Sequence, residues 1–125
     1  MEKKIYDFTD LDAWKYGHEF VIDIYKLTKK FPANETYGII SQIRRSASSI
    51  TSNIAEGFSR YSFKDKMRFY YNSRGSLSES QNHLLIARDV GYLDKTTTDN
   101  FLVKIERIKQ ILNGLIRSTE KQIPQ

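Results

Sequence analysis

The segment Gln42-Ile43-Arg44-Arg45-Ser46-Ala47-Ser48-Ser49-Ile50-Thr51-Ser52-Asn53-Ile54-Ala55-Glu56-Gly57 constrains this chain more than any other stretch of it. Ile39, Ile43, Ala47, Ile50 and Ile54 recur three or four residues apart, so they share one helical face about one side chain wide. So thin a stripe does not support a free-standing helix, and neighbouring elements must hold the segment in place. Almost everything else on it is small or hydroxylated, which lets other helices come close. Arg44, Arg45, Asn53 and Glu56 must then face water or act as polar links between helices or subunits.

A chain of 125 residues with 39% hydrophobic content can bury one core, so a single domain over residues 1–125 is expected. Without cysteine, neither a disulfide framework nor a thiolate metal site can form. The start, Met1-Glu2-Lys3-Lys4-Ile5-Tyr6-Asp7, has no apolar run after its charges, and no segment approaches the roughly 18 apolar residues of a membrane span. A soluble cytoplasmic protein is the expectation. The net charge is +5, and residues 1–33 balance six basic against six acidic groups, so the excess lies in residues 34–125. That charge serves either solubility or a polyanionic partner.

Proline and glycine sit mostly where helices would stop. The first helix is expected to open at Thr9, with Asp12 three residues on and Phe8 stapled onto Ala13, and to run to about Lys30. Leu11, Trp14, Val21, Ile24, Tyr25, Leu27 and Phe31 form its core face, and Phe31-Pro32 ends it. Asn34 caps the second helix and Gly57 terminates it in the left-handed conformation. Ser62 and Asp65 open the third, whose face carries Phe63, Met67, Tyr70, Leu77, Leu84 and Ala87 before Gly91 closes it. Thr96 and Asp99 open the fourth, which carries Phe101, Leu102, Ile105, Ile108, Leu112, Leu115 and Ile116 to about Glu120, beyond which the end frays. Short links force antiparallel neighbours, so the expected fold is all-α, an up-and-down antiparallel four-helix bundle. Gly75 and Gly114 fall mid-helix at a cost of roughly 1 kcal/mol each relative to alanine, and a close helix crossing at Ser73-Arg74-Gly75-Ser76 is the favoured compensation.

Catalytic chemistries find few anchors. A di-iron bundle needs Glu-x-x-His twice, whereas Glu79 and His83 are four apart and His18 stands beside Glu19. No Gly-x-Ser-x-Gly turn, Walker loop or dinucleotide fingerprint occurs. No enzyme activity, cofactor or metal is expected.

Two groups of polar residues remain. Arg44, Arg45, Glu56, Arg74 and Glu79 lie near the apolar stripes, where a lone charge is costly. Bidentate Arg–Glu pairs on adjacent helices or across a subunit boundary are the preferred reading, and phosphate binding by Arg44 and Arg45 is the alternative. For nucleic acid the better candidates are Arg60, Lys64, Lys66 and Arg68 at the start of the third helix, with Arg107, Lys109, Arg117 and Lys121 on the fourth. Phe58, Tyr61 and Tyr71 interleave with the first group and offer rings for base stacking.

Phe8-x-x-Leu11-x-x-Trp14-Lys15, Ile24-Tyr25-x-x-Thr28-x-x-Phe31-Pro32, Glu35-x-x-Gly38, Gln42-Ile43-Arg44-Arg45, Ser49-Ile50, Asn53-Ile54-Ala55-Glu56-Gly57 and Arg74-Gly75-Ser76-Leu77-x-Glu79 together resemble the small bacterial bundle proteins named for open reading frames in intervening sequences of 23S rRNA genes. The resemblance spans nearly the whole chain. It implies an up-and-down bundle, a ring-like homopentamer and no enzyme activity. A related branch looks like the accessory proteins of diversity-generating retroelements, basic pentamers that bind nucleic acid. On matching positions the resemblance makes Arg44, Arg45, Asn53, Glu56, Arg74 and Glu79 structural or interface residues.

Overall fold

A computed structural model describes residues 4–124; Met1–Lys3, part of the start read above for its lack of an apolar run, and Gln125 lie outside the described residues. Four helices carry the fold: α1 (Asp12–Thr28), α2 (Ile39–Ser59), α3 (Phe63–Asp89) and α4 (Lys95–Glu120). Short 3-10 turns over Phe8–Asp10 and Ala33–Glu35 precede α1 and α2. Each helix packs on its neighbours in sequence, α4 closes against α1, and the diagonal pairs make no close backbone approach. This is the expected up-and-down bundle. Among the described residues no helix is long and apolar enough to cross a membrane.

Phe20 and Ile24 of α1, Ile43, Ile50 and Ile54 of α2, Tyr70, Leu77 and Leu84 of α3, and Ile108 and Leu112 of α4 meet in one buried core. On α1 the buried stripe is Ala13, Gly17, Phe20, Ile24 and Thr28, with Leu11, Trp14, Val21 and Leu27 half-buried beside it and Tyr25 exposed. The expected α1 face was therefore rotated toward one flank, drawn there by large side chains that border the core. Phe63 is likewise exposed. Ile123 packs against the core, so the segment after α4 is tied down at that residue where fraying is expected from about Glu120 on.

The start of α3 follows expectation, since the Ser62 side chain accepts a hydrogen bond from the Asp65 N–H. Gly91, with φ of 92°, closes α3. Three other starts differ. Thr9 sits inside the first 3-10 turn and its hydroxyl donates to Asp7 Oδ2, while Phe8 packs edge-on against Trp14 at 5.5 Å. Asn34 lies in the second 3-10 turn, and α2 begins after Gly38. At α4 the cap is Asp94, which accepts from the Thr97 N–H at 2.7 Å, and that bond holds its carboxyl below the usual range.

Gly57 does not terminate α2. It is helical, α2 continues to Ser59, and a Cβ there would stand 2.8 Å from Tyr70 Cε1. The close crossing expected at Gly75 is also absent within the chain: Gly75 is exposed, with nothing within 4 Å of its missing Cβ.

Candidate nucleic-acid interface

The α2–α3 connection gathers three of the candidate cations around two rings, with Lys64 beside them on the first turn of α3. Lys66 Nζ donates to the Phe58 carbonyl at 2.6 Å and lies 5.3 Å from the Phe58 ring, which ties the start of α3 to the end of α2. Partial burial pushes the Lys66 ammonium below its ordinary pKa. Arg60 and Arg68 flank Phe69 at 4.6 and 5.0 Å. Arg60 also pairs with Glu56 at 2.7 Å, while Arg68 stands 3.8 Å from Asp65. Lys64 is exposed, and among the described residues it has no ion-pair partner.

Tyr61 is fully exposed at the turn. It borders a groove of about 450 Å³ with Ser62, Phe63 and Lys64, and Ile123 and Pro124 form the other wall. The groove therefore brings Ile123 and Pro124, with Lys121 just before them, beside the start of α3. Phe58 is half-buried under Lys66, and Tyr71 carries Arg74 over its ring at 4.8 Å, which leaves Tyr61 as the open ring of the three expected.

The α4 cations do not all join this group. Lys109, Arg117 and Lys121 are exposed, with Lys109 mid-helix. Arg107 turns toward α1, where it donates to the Tyr16 hydroxyl at 2.9 Å and stacks on that ring. Glu19, Asp23 and Lys104 line the same cleft, and Lys104 pairs with Asp23 at 2.8 Å. Arg107 thus stands in a charge-balanced cleft apart from the α2–α3 end.

Within one chain the second polar group makes contacts other than the Arg–Glu pairs between helices that were one form of the expectation. Arg44 Nε donates to Thr28 Oγ1 at 2.8 Å and its guanidinium stacks on Tyr25, so its partners are a hydroxyl and a ring of α1. Arg74 donates to Asn113 Oδ1 at 3.1 Å, joining α3 to α4. Asn53 Nδ2 donates to the carbonyl and hydroxyl of Ser49. Glu79 stands 3.7 Å from His83, whose Nε2 is buried without a hydrogen-bond partner. Arg45 has no ion-pair partner among the described residues and borders a small cleft with Ser46, Ser49 and Glu79. Within one chain, no bidentate Arg–Glu pair joins α2 to α3.

Hydroxyls join those helices instead. Ser46 and Ser80 share a buried 2.8 Å hydrogen bond, Ser76 bonds Ser49 at 2.8 Å, and Ser73 donates to the Ile50 carbonyl at 2.7 Å. The sequence signal for this seam is Ser73, Ser76 and Ser80 at helical spacing opposite the small residues of α2. Among the described residues no group of three or more metal-ligating side chains occurs.

Residues 9–114 match the 23S rRNA-intervening sequence protein family. The chain is similar in fold to a solved protein of unknown function from the S23 ribosomal protein family of Bacteroides thetaiotaomicron, with a TM-score of 0.78 and 21% identity over 84% of this chain and 95% of that one. No curated protein matches.

Proposed function

Because the chain belongs to the 23S rRNA-intervening sequence protein family, we propose that it is a non-enzymatic, homo-oligomeric accessory protein that associates with RNA or DNA through the α2–α3 end of its bundle. The observation that carries this reading is the α2–α3 connection, where Arg60, Lys66 and Arg68 pack around Phe58 and Phe69 and Lys64 shares a groove with the open ring of Tyr61. Cations hold phosphates and the ring stacks on an unpaired base, so the surface suits a single strand or a loop without base-edge readout.

Self-association multiplies a modest charge of +5 per chain, and weak contacts repeated around a ring gain by avidity. Five copies is the number that the family resemblance suggests. Support for a docking face comes from Gly75 and Gly114, two mid-helix glycines that adjoin the Arg74–Asn113 hydrogen bond between α3 and α4, Gly75 with nothing within 4 Å of its missing Cβ and Gly114 with only the Arg117 head, 3.9 Å away. Their cost in helix stability gains nothing within one chain, and a second copy lying close against them supplies the reason.

The test is a Lys64→Gln/Arg68→Gln double variant, which leaves the packed Lys66 in place. Weaker RNA binding with an unchanged oligomer is expected, and unchanged affinity contradicts the reading.

A further inference from the structure

The groove between α1 and the first half of α2 lies at the opposite end of the bundle from Lys64 and Arg68. We propose that it is a nucleotide site, with a 5′-phosphate held by Arg44 and Arg45 and a base stacked on Tyr37. The groove measures about 380 Å³, within the range of small-molecule sites, and Tyr25, Tyr37, Ser41, Arg44, Arg45 and Ser48 line it.

Four features point to that ligand. The Arg44 head is fixed before any ligand arrives, since Nε bonds Thr28 Oγ1, Nη2 lies 3.4 Å from the Tyr25 carbonyl, and the Tyr25 ring lies 4.6 Å beneath. Thr28 donates its own proton to the Ile24 carbonyl at 2.8 Å, so it accepts from Arg44 without conflict. None of these partners is a carboxylate, so the guanidinium keeps its full charge for an anion and its Nη1 hydrogens remain unspent. Arg45 follows with no ion-pair partner among the described residues, and none of the residues lining the groove is Asp or Glu; Glu79 borders a separate, smaller cleft with Arg45.

The Ser41 and Ser48 side chains add hydroxyl donors with no hydrogen-bond partner among the described residues. Tyr37, 96% exposed, stands at the rim with its ring open to a base. The reading is independent of RNA binding at the α2–α3 end, because the two sites share no residue.

Calorimetric titration tests it, with AMP, adenosine, inorganic phosphate and a short 5′-phosphorylated oligoribonucleotide as probes. AMP should bind and adenosine should not. Arg45→Gln should weaken AMP binding by about 10-fold, the loss of one charge-assisted contact. Tyr37→Ala should weaken it by roughly 5-fold or more, the worth of one stacked base. Both side chains are exposed, so these variants should keep the helical circular-dichroism spectrum of the parent, and Lys64→Gln/Arg68→Gln should bind AMP normally. Binding of the oligonucleotide but not AMP, lost with Arg45→Gln, assigns the site to the phosphorylated end of a strand. Phosphate binding as tightly as AMP with no effect of Tyr37→Ala overturns the nucleotide assignment, and so does the absence of any Arg45-dependent binding.

Discussion

The ring of Tyr70 lies so close to Gly57 that a methyl group on that α-carbon would meet Cε1 at 2.8 Å and Phe69 Cβ at 3.0 Å. Glycine at this point of α2 is a packing requirement of α3. Gly57→Ala gains about 1 kcal/mol of helix propensity but forces a buried ring to move at about 1–3 kcal/mol. A net loss of about 1 kcal/mol in urea unfolding is expected, and a stabilised variant would contradict this account of the crossing.

Gly75 should behave in the opposite sense, since its missing Cβ faces open space. Gly75→Ala should stabilise the isolated chain by about 0.5–1 kcal/mol while weakening self-association. Sedimentation velocity beside thermal melts separates the two effects. Unchanged assembly would remove Gly75 from the proposed face.

The shared hydroxyl bond between Ser46 and Ser80 should give a coupling of about 1 kcal/mol in a double-mutant cycle of alanine substitutions. Additive losses would show that the seam is held by close packing alone.

Tyr70 predicts the alkaline limit of stability. Burial raises its phenol from 10.0 to about 12, so the folded state favours the neutral form. The contribution is complete below pH 10.0, the unfolded value, and is lost as pH rises toward about 12. Urea midpoints measured across that window should fall for the parent chain and less steeply for Tyr70→Phe. Equal slopes would count against this assignment.

At acid pH the corresponding group is Asp94. Hydrogen bonding from Thr97 depresses its pKa, so its contribution is present above the ordinary aspartate value and lost as pH falls through the depressed one. Asp94→Asn, which can still cap, should melt closer to the parent than Asp94→Ala. Identical melting of both variants would exclude the cap.

The four helices were legible because their apolar residues repeat at helical spacing, and Ser62 and Gly91 were legible because each is the natural punctuation at its place. Thr96 competed with Asp94, and the carboxylate two residues earlier took the cap. Asn34 and Thr9 lost because 3-10 turns occupy the chain just before α2 and α1. Gly57 was misread since its reason lies in Tyr70, a contact that local pattern does not show. The candidate cations of α3 were legible as a cluster in sequence, but Arg107 was not legible as an α1 partner, because that depends on how α4 is rotated against Tyr16.

The central claim is tested most directly by fluorescence anisotropy with structured RNA, single-stranded RNA and duplex DNA at about 50 and 200 mM salt, a range over which phosphate contacts lose affinity steeply. The account predicts binding at low salt that weakens across this range and prefers strands with unpaired bases. No binding to any of the three at low salt would contradict it, leave the charge to solubility, and turn the exposed Tyr61 toward a protein partner.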